Sequence, residues 1–351
     1  MLLNMGPDRK EGVAKRRHRY RMVFTVLCIL LVFFALIALS IGHYSYDPRD
    51  VLRTLWETIS PGDLSDPAMG MVLFNIRIPR VAAAVLVGAA LSLSGAVYQG
   101  VFKNPLVSPD LLGVSSGACV GAAAAVLLGL GMVQQQVLAF AFGIIAVTIS
   151  VTIPKLIRNN TNLMLVLAGI ITSGFMSSVL GVMKFVADEE TELSAIVFWQ
   201  MGSLTTVDGI DVVAVSPIAI ICVVVLIALA WRLNILSFGE VEAKTLGVNV
   251  KLMRGIIIAC ASCLTASTVC ISGTVGWVGL VIPHLSRLLV GSDHRRSLPT
   301  ALLLGGVFML VIDTLARTLT SSDIPLSILT GLIGAPFYAW LLYRQRQANL
   351  L

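Results

Sequence analysis

The dominant pattern along this chain is the long gap between charged residues. Asp, Glu, Lys and Arg are absent from 22–46, 81–102, 111–154, 159–183, 212–231, 255–286 and 324–343. A helix needs about 20 apolar residues to cross about 30 Å of hydrocarbon, so each gap is at least one candidate span. The stretch 111–154 holds 44 residues, roughly 66 Å as helix. It is predicted to fold as two spans turned near Gly129, Gly131 and the triplet Gln134, Gln135 and Gln136. Gly273, Gly276, Gly279 and Pro283 punctuate 255–286, which is expected to break into two shorter pieces. One further run, 297–316, carries a single acid, Asp313, near its end. The pattern predicts an all-α integral membrane protein with about ten transmembrane helices.

Composition agrees with that reading. Only 13% of the 351 residues are charged, about half the usual quarter, and the mean hydropathy is +0.90. These values exclude a disordered chain, a collagen and an ordinary soluble enzyme. Placing the N-terminus in the cytoplasm puts 19 of the 25 Lys and Arg residues on inside segments, as the positive-inside rule requires. Six remain outside: Arg49, Arg53, Arg77, Arg80, Lys184 and Arg317. The expected organisation is a basic tail over 1–21, one transmembrane domain over 22–343 and a short tail over 344–351, both tails cytoplasmic. The apolar run after the basic tail is longer than a typical signal-peptide core, so it reads as an uncleaved first span. The tail abuts a membrane helix, and attraction to anionic lipid explains its charge without nucleic acid.

Several motifs match catalytic patterns without the context those patterns need. Gly113-Val-Ser115-Ser-Gly117 has the spacing of a nucleophile elbow but sits at the mouth of an apolar helix. Gly113, Gly117 and Gly121 read instead as a small-residue ladder for close helix packing. Gly239 to Thr245 has Ala243 where a phosphate loop carries glycine before its lysine, so the chain is not expected to hydrolyse ATP itself. The six cysteines, Cys260 and Cys263 among them, lie inside predicted spans and complete no metal site. His18, His43, His284 and His294 read as interface or turn residues.

Three features carry more. Asp313 and Arg317 stand at i, i+4 with the acid first, which favours a structural ion pair over a proton relay. Gly88, Ser92, Gly95 and Gln99 share one helical face, a small and weakly polar stripe that either packs against a neighbour or lines a pathway for a bulky chelate. The segment 238–254 begins as a short polar helix, with Gly239, Glu240, Ala243 and Leu246, and ends it at Gly247 as a C-cap. Between two spans on the cytoplasmic face, such a helix is a natural docking knob or a solvated loop.

Taken together, motifs along nearly the whole chain resemble the permeases of type II ATP-binding-cassette importers for iron-siderophore complexes, haem and vitamin B12, the FecCD or BtuC-like family. They are Arg77-Ile-Pro79-Arg80, Gly88 to Gly95 with Gln99, Asn104-Pro105-Leu106, Pro109-Asp110-Leu-Leu-Gly113, and Leu167-Ala-Gly169. Later come Trp199 to Ser203, Glu240 to Gly247, Gly279 to His284, Asp293-His294-Arg295 and Gly334-Ala-Pro336. The resemblance implies an inverted repeat of spans two to five in spans seven to ten, and a dimer of permeases, identical or paralogous. It also implies two separate ATPase subunits that bind ATP and Mg, with no cofactor on this chain, and an extracytoplasmic binding protein. It maps docking to Arg77, Arg80 and Arg317, and ATPase coupling to Gly239, Glu240, Ala243, Leu246 and Gly247. It places the protein in a bacterial or archaeal cytoplasmic membrane as a transporter subunit and not an enzyme. Iron(III)-siderophore is the first expectation for cargo, with haem, cobalamin and molybdate behind it. An ion-coupled secondary transporter is the alternative class, and it lacks embedded ionisable groups beyond Asp313.

Overall fold

The structure is a computed structural model, and it describes residues 7–42, 46–60, 65–159 and 161–348; His43 lies outside the described residues. Helices α1 (Pro7–Ser40), α2 (Pro48–Ile59) and α3 (Pro67–Val72) come first, and a π turn at Leu73–Arg77 leads directly into α4 (Ile78–Phe102). A 3-10 turn at Pro109–Leu112 precedes α5 (Val114–Leu127), which is followed by α6 (Met132–Leu156), α7 (Asn162–Val186) and the short α8 (Glu192–Met201). The second half holds α9 (Gly209–Ala228), α10 (Ala230–Phe238), α11 (Glu240–Thr245) and α12 (Val250–Ser272). It closes with α13 (Val278–Val290), α14 (His294–Ala316) and α15 (Leu326–Ala348).

Seven of these stretches are long and apolar enough to cross a membrane, and three shorter apolar helices, Val114–Leu127, Val278–Val290 and Leu326–Leu341, bring the set to ten. The long gap 111–154 does turn at 128–131, between α5 and α6. The gap 255–286 divides unequally, because α12 is a full 23-residue helix and only α13, with 13 residues, is short. Local capping sets several boundaries. The side chains of Thr161 and Asn249 accept from the backbone N–H groups of Met164 at 3.3 Å and Leu252 at 3.1 Å, and Asp208 with Asp211 forms a capping box at the start of α9. The N-terminal tail continues the first span as helix back to Pro7.

The halves repeat. Helices α4, α5, α6 and α7 hold 25, 14, 25 and 25 residues, and α12, α13, α14 and α15 hold 23, 13, 23 and 23. Packing is reciprocal as well: α4 lies against α13 and α14 of the second set, α12 lies against α5 and α6 of the first, and α4 and α12 touch each other. Equivalent helices stand five places apart in the order of spans, with four spans between them, so each crosses in the direction opposite to its counterpart. In both sets the short helix follows an irregular stretch that runs into the bundle, 103–113 with its 3-10 turn in one and 273–277 in the other.

Irregular backbone is tolerated at that depth only where protein satisfies it. Ser150 Oγ donates to the Leu112 carbonyl at 2.9 Å and Gln99 Nε2 to that of Val107 at 3.2 Å. Thr274 Oγ1 donates to the Gln200 carbonyl at 2.5 Å, and Ser203 N–H donates to that of Ser272 at 2.9 Å. The first entering segment meets the first turn of α13 where Pro109 packs on Gly279. Helix α4 is the hub: 83% of the most apolar window of its span is buried inside the protein, against 17% for α1, which therefore faces lipid or a partner.

Candidate functional site

At the end of the bundle formed by the last turn of α1, the start of α4 and the end of α14, the structure gathers all three arginines singled out in the sequence. Arg77 Nη1 donates to the carbonyls of Leu39 at 2.5 Å and Ser40 at 2.9 Å, and Arg317 Nη2 donates to that of Ala38 at 2.5 Å. The last carbonyls of a helix have no partners within it and carry the negative end of its dipole, so two guanidinium groups here act as a C-terminal cap for α1. The Arg77 guanidinium also lies 4.7 Å over the ring of Tyr46. Arg80 does something different. Its Nε reaches both Asp313 oxygens, at 2.9 and 3.2 Å, and its Nη1 donates to Asp323 at 2.8 Å.

Asp313 is therefore shared. The i, i+4 partner Arg317 stands at 3.6 Å, whereas Arg80, more than two hundred residues away in sequence, holds the shorter contact. Asp323, which the sequence pattern left unmarked, extends the network by accepting from Thr205 Oγ1 at 2.6 Å. Relative exposures of 5% for Arg77, 8% for Arg80 and 5% for Arg317 make this an internal charge network in the single chain. The arginines are co-located, and each has a partner within the protein.

The stripe on α4 faces other helices of the same chain. A side chain at Gly88 would meet the Gly305 carbonyl of α14, and one at Gly95 would meet the Gly279 carbonyl of α13. Ser92 is fully buried, beside Gly305. Gln99 is 4% exposed and bridges the entering loop to α13, donating to Leu280 O at 3.3 Å and accepting from Arg287 Nη2 at 2.6 Å. Small residues bring the backbones together along this seam, which is what their spacing on one face permits. Gly117 and Gly121 serve the contact of α5 with α6 in the same way.

The opposite end carries the short helix α11. Ala243 is fully buried and anchors it, while Val241 at 71% and Leu246 at 64% stand exposed, with Phe238 exposed just before it. Gly247 has φ +76, its N–H donates to the Lys244 carbonyl at 2.9 Å, and the Val248 N–H donates to that of Ala243 at 3.0 Å. These two bonds form a Schellman motif, which needs a left-handed residue at Gly247. Gly239 is extended, with φ +157 and ψ +162, and Glu240 opens the helix. Apolar side chains displayed on a six-residue helix outside the spans gain nothing from water, so this end is shaped to be covered.

The sequence pattern also missed ionisable groups inside the bundle. Asp110 contacts the hydroxyl of Ser115 at the start of α5. Asp211 accepts from Gln136 Nε2 at 2.8 Å, and Arg287 holds Gln99. Each sits beside a span and not within a charge-free window, which is why the window test passes over them.

Ten apolar helices, eight of them in two reciprocally packed sets, entering segments whose backbone is satisfied at depth, and displayed apolar residues at one end define an integral membrane permease. The chain belongs to the FecCD transport family, whose model matches residues 29–344. It is 40% identical over 334 residues to the molybdate import system permease protein of Haemophilus influenzae, covering 94% of this chain and 98% of that one. It is 37% identical over 334 residues to the hemin transport system permease protein of Yersinia pestis, covering 93% and 97%. A metal-chelate type ABC transporter solved in an inward-facing conformation superposes with a TM-score of 0.83 at 39% identity, covering 92% of this chain and 99% of that one. The chain is thus an ABC importer permease, a transporter subunit of the kind whose ATPase activity lies in separate subunits.

Proposed function

We propose that this protein forms the translocation pathway of an ATP-driven importer for a bulky metal chelate, with iron(III)-siderophore as the first cargo. The α11 end faces the cytoplasm with both termini, and the Arg77 end faces outward. The single observation that carries the proposal is the displayed helix α11, anchored through Ala243 and closed by Gly247, in a chain that belongs to a family of importer permeases. Val241 and Leu246 enter a cleft of the ATPase subunit, and nucleotide-driven closure of two such subunits rocks the permeases of a dimer. The permease contributes differential contacts in each state and no bond chemistry. Arg77, Arg80 and Arg317 receive acidic side chains of a binding protein, which take the place of the α1 carbonyls at Arg77 and of Asp313 and Asp323 at Arg80 and Arg317. Their meeting at one end of the bundle supports that assignment.

Molybdate is the second reading for cargo, favoured by the Haemophilus relative that matches along almost its whole length. Reconstitution with the neighbouring ATPase and binding protein separates the two by uptake of labelled ferric siderophore or labelled molybdate. The same system tests the coupling assignment. Proline requires φ near −65° and has no N–H, so Gly247→Pro removes both the turn and the bond to Lys244. ATP-driven uptake should fall at least about tenfold, as expected when a coupling element is lost, while membrane insertion and ATP hydrolysis persist. Unchanged uptake in Gly247→Pro would remove α11 from the mechanism.

A further inference from the structure

The α11 end holds a cavity of about 580 Å³ between the end of α4, α10, the end of α13 and the start of α14. Three cations line it, Lys103, Arg287 and Arg295, against one acid, Asp293. That acid is already engaged: it accepts from Asn234 Nδ2 at 2.7 Å, caps α14 through the Arg295 N–H at 3.0 Å, and lies 3.8 Å from Arg296. None of the three cations has a carboxylate within ion-pair distance among the described residues.

Arg287 is the telling member. It is half-buried, and among the described residues its hydrogen bond runs to a neutral oxygen, Gln99 Oε1, at 2.6 Å. Gln99 is itself held by the Val107 and Leu280 carbonyls at 3.2 and 3.3 Å, so it fixes the guanidinium without neutralising it. A partly desolvated cation with no counter-charge is costly, and a bound anion recovers that cost. Beside it, His294 is 7% exposed and its Nδ1 has no hydrogen-bond partner among the described residues. Arg295 lies 5.8 Å over the ring of Trp231 at the cavity wall, and Lys103 closes α4 at φ +52.

We infer that this cavity is a binding site for a phosphate-type oxyanion, with Arg287 as its principal ligand, Lys103 and Arg295 completing the charge, and Gln99 as the residue that positions Arg287. A compact anionic group with one or two negative charges and several acceptor oxygens matches a guanidinium fork flanked by two further cations, whereas a metal cation meets repulsion there. The group has two sources. A basic cavity between helices at the cytoplasmic side suits the headgroup of an anionic phospholipid, and a free oxyanion such as phosphate or molybdate presents the same tetrahedral face. The site does not rest on the cargo assignment; since molybdate is also a candidate cargo, the loss of its binding in Arg287→Gln is what assigns it to this cavity.

The full-length protein in neutral detergent provides the test. Equilibrium dialysis with labelled phosphate and labelled molybdate forms one arm, and native mass spectrometry during titration with phosphatidylglycerol, with phosphatidylcholine as control, forms the other. Saturable binding at one site per chain is expected in one arm: retention of phosphatidylglycerol alone identifies the lipid, and binding of phosphate or molybdate identifies the free oxyanion. Arg287→Gln should weaken binding at least about tenfold and Lys103→Gln, on the exposed loop, about two- to fivefold. Gln99→Glu gives Arg287 an internal carboxylate and should abolish binding, whereas Gln99→Ala, which loses the same bonds to the Val107 and Leu280 carbonyls without adding a charge, should only weaken it; a purely structural glutamine would make the two variants alike. The proposal is overturned by the absence of saturable binding in both arms. Wild-type binding in both Arg287→Gln and Lys103→Gln overturns it equally, as does a cavity that is filled only when an ATPase subunit is added.

Discussion

The two ends of this bundle treat charge in opposite ways. At the Arg77 end, three guanidinium groups are spent on α1 carbonyls and on two aspartates, and all three arginines are buried. At the α11 end, Lys103, Arg287 and Arg295 line an open cavity and pair with no carboxylate among the described residues. The difference follows from what each end must do. Arg80 and Asp313 close the seam between the first and second repeat, and a buried ion pair holds two helices in one register only while both partners are present. Unspent cations cannot serve that purpose, but they keep electrostatic attraction available for something that arrives later.

The largest effect should come from breaking the closed end. Asp313→Asn keeps the shape of the side chain and leaves Arg80 and Arg317 without the carboxylate they share. Removing one partner from a buried pair costs about 3–5 kcal/mol, enough to lower the melting temperature of the purified protein sharply or to abolish its recovery. Asp323→Asn, at a carboxylate with 15% side-chain exposure, should cost less. Arg287→Gln at the other end should leave the melting temperature close to wild type, because no internal carboxylate depends on it. Equal melting of Asp313→Asn and wild type would erase the contrast between the ends.

That contrast was only half visible in the sequence. Lipid is a severe solvent, so the ten apolar stretches announce themselves by the charges they lack. Length requires a turn within 111–154 and Gly129 and Gly131 place it at 128–131, whereas Gln134, Gln135 and Gln136 lie inside the start of α6. The repeat is harder to see, because it resides in helix lengths and reciprocal contacts and not in similar residues. The entering segments 103–113 and 273–277 look like ordinary loops, since their depth is created by partners such as Ser150 and Gln200 from other helices. Asp313 was legible as a partner of Arg317 because both lie on one helix. Its closer partner, Arg80, is joined to it only by the fold. Asp323 sits in a polar connection where an acid attracts no notice. On the α4 stripe, the spacing of Gly88, Ser92, Gly95 and Gln99 shows that they share a face but not what covers it. The covering elements, α13 and α14, lie in the other repeat.

The seam itself gives an intermediate effect. A methyl group on Gly88 would lie 2.1 Å from the Gly305 carbonyl oxygen, a backbone atom that cannot rotate away, whereas nothing lies within 4 Å of the same position on Gly181 in α7. Gly88→Val should therefore push α4 from α14 and cost about 1–3 kcal/mol through overpacking. Gly181→Ala, in a helix interior with open space around it, should be neutral or stabilise by about 0.5–1 kcal/mol. Thermal melts of the two variants in one detergent make the comparison. A harmless Gly88→Val would mean that α4 and α14 are not held at the backbone distance described, and the closed end would lose its closing seam.

The smallest effect belongs to an ion pair on the same side of the membrane as the buried network but outside it. On α2, Glu57 accepts from Arg53 Nε at 2.8 Å and from Ser65 Oγ and N–H at 2.5 and 2.9 Å. Those bonds, the two from Ser65 first, hold its carboxyl at about 2, below its ordinary 4.5. A depressed carboxyl favours the folded state where it is ionised, so its contribution is complete above pH 4.5 and fades as the pH falls towards 2. The pair lies at the protein surface, however, with Arg53 67% exposed, and water and salt screen it. Glu57→Gln should therefore shift the melting temperature by no more than about 2 °C at pH 7, and the difference from wild type should shrink on acidification. A larger shift than that of Asp313→Asn, or one that grows as the pH falls, would mean that burial is not what separates a structural charge pair from a decorative one in this protein.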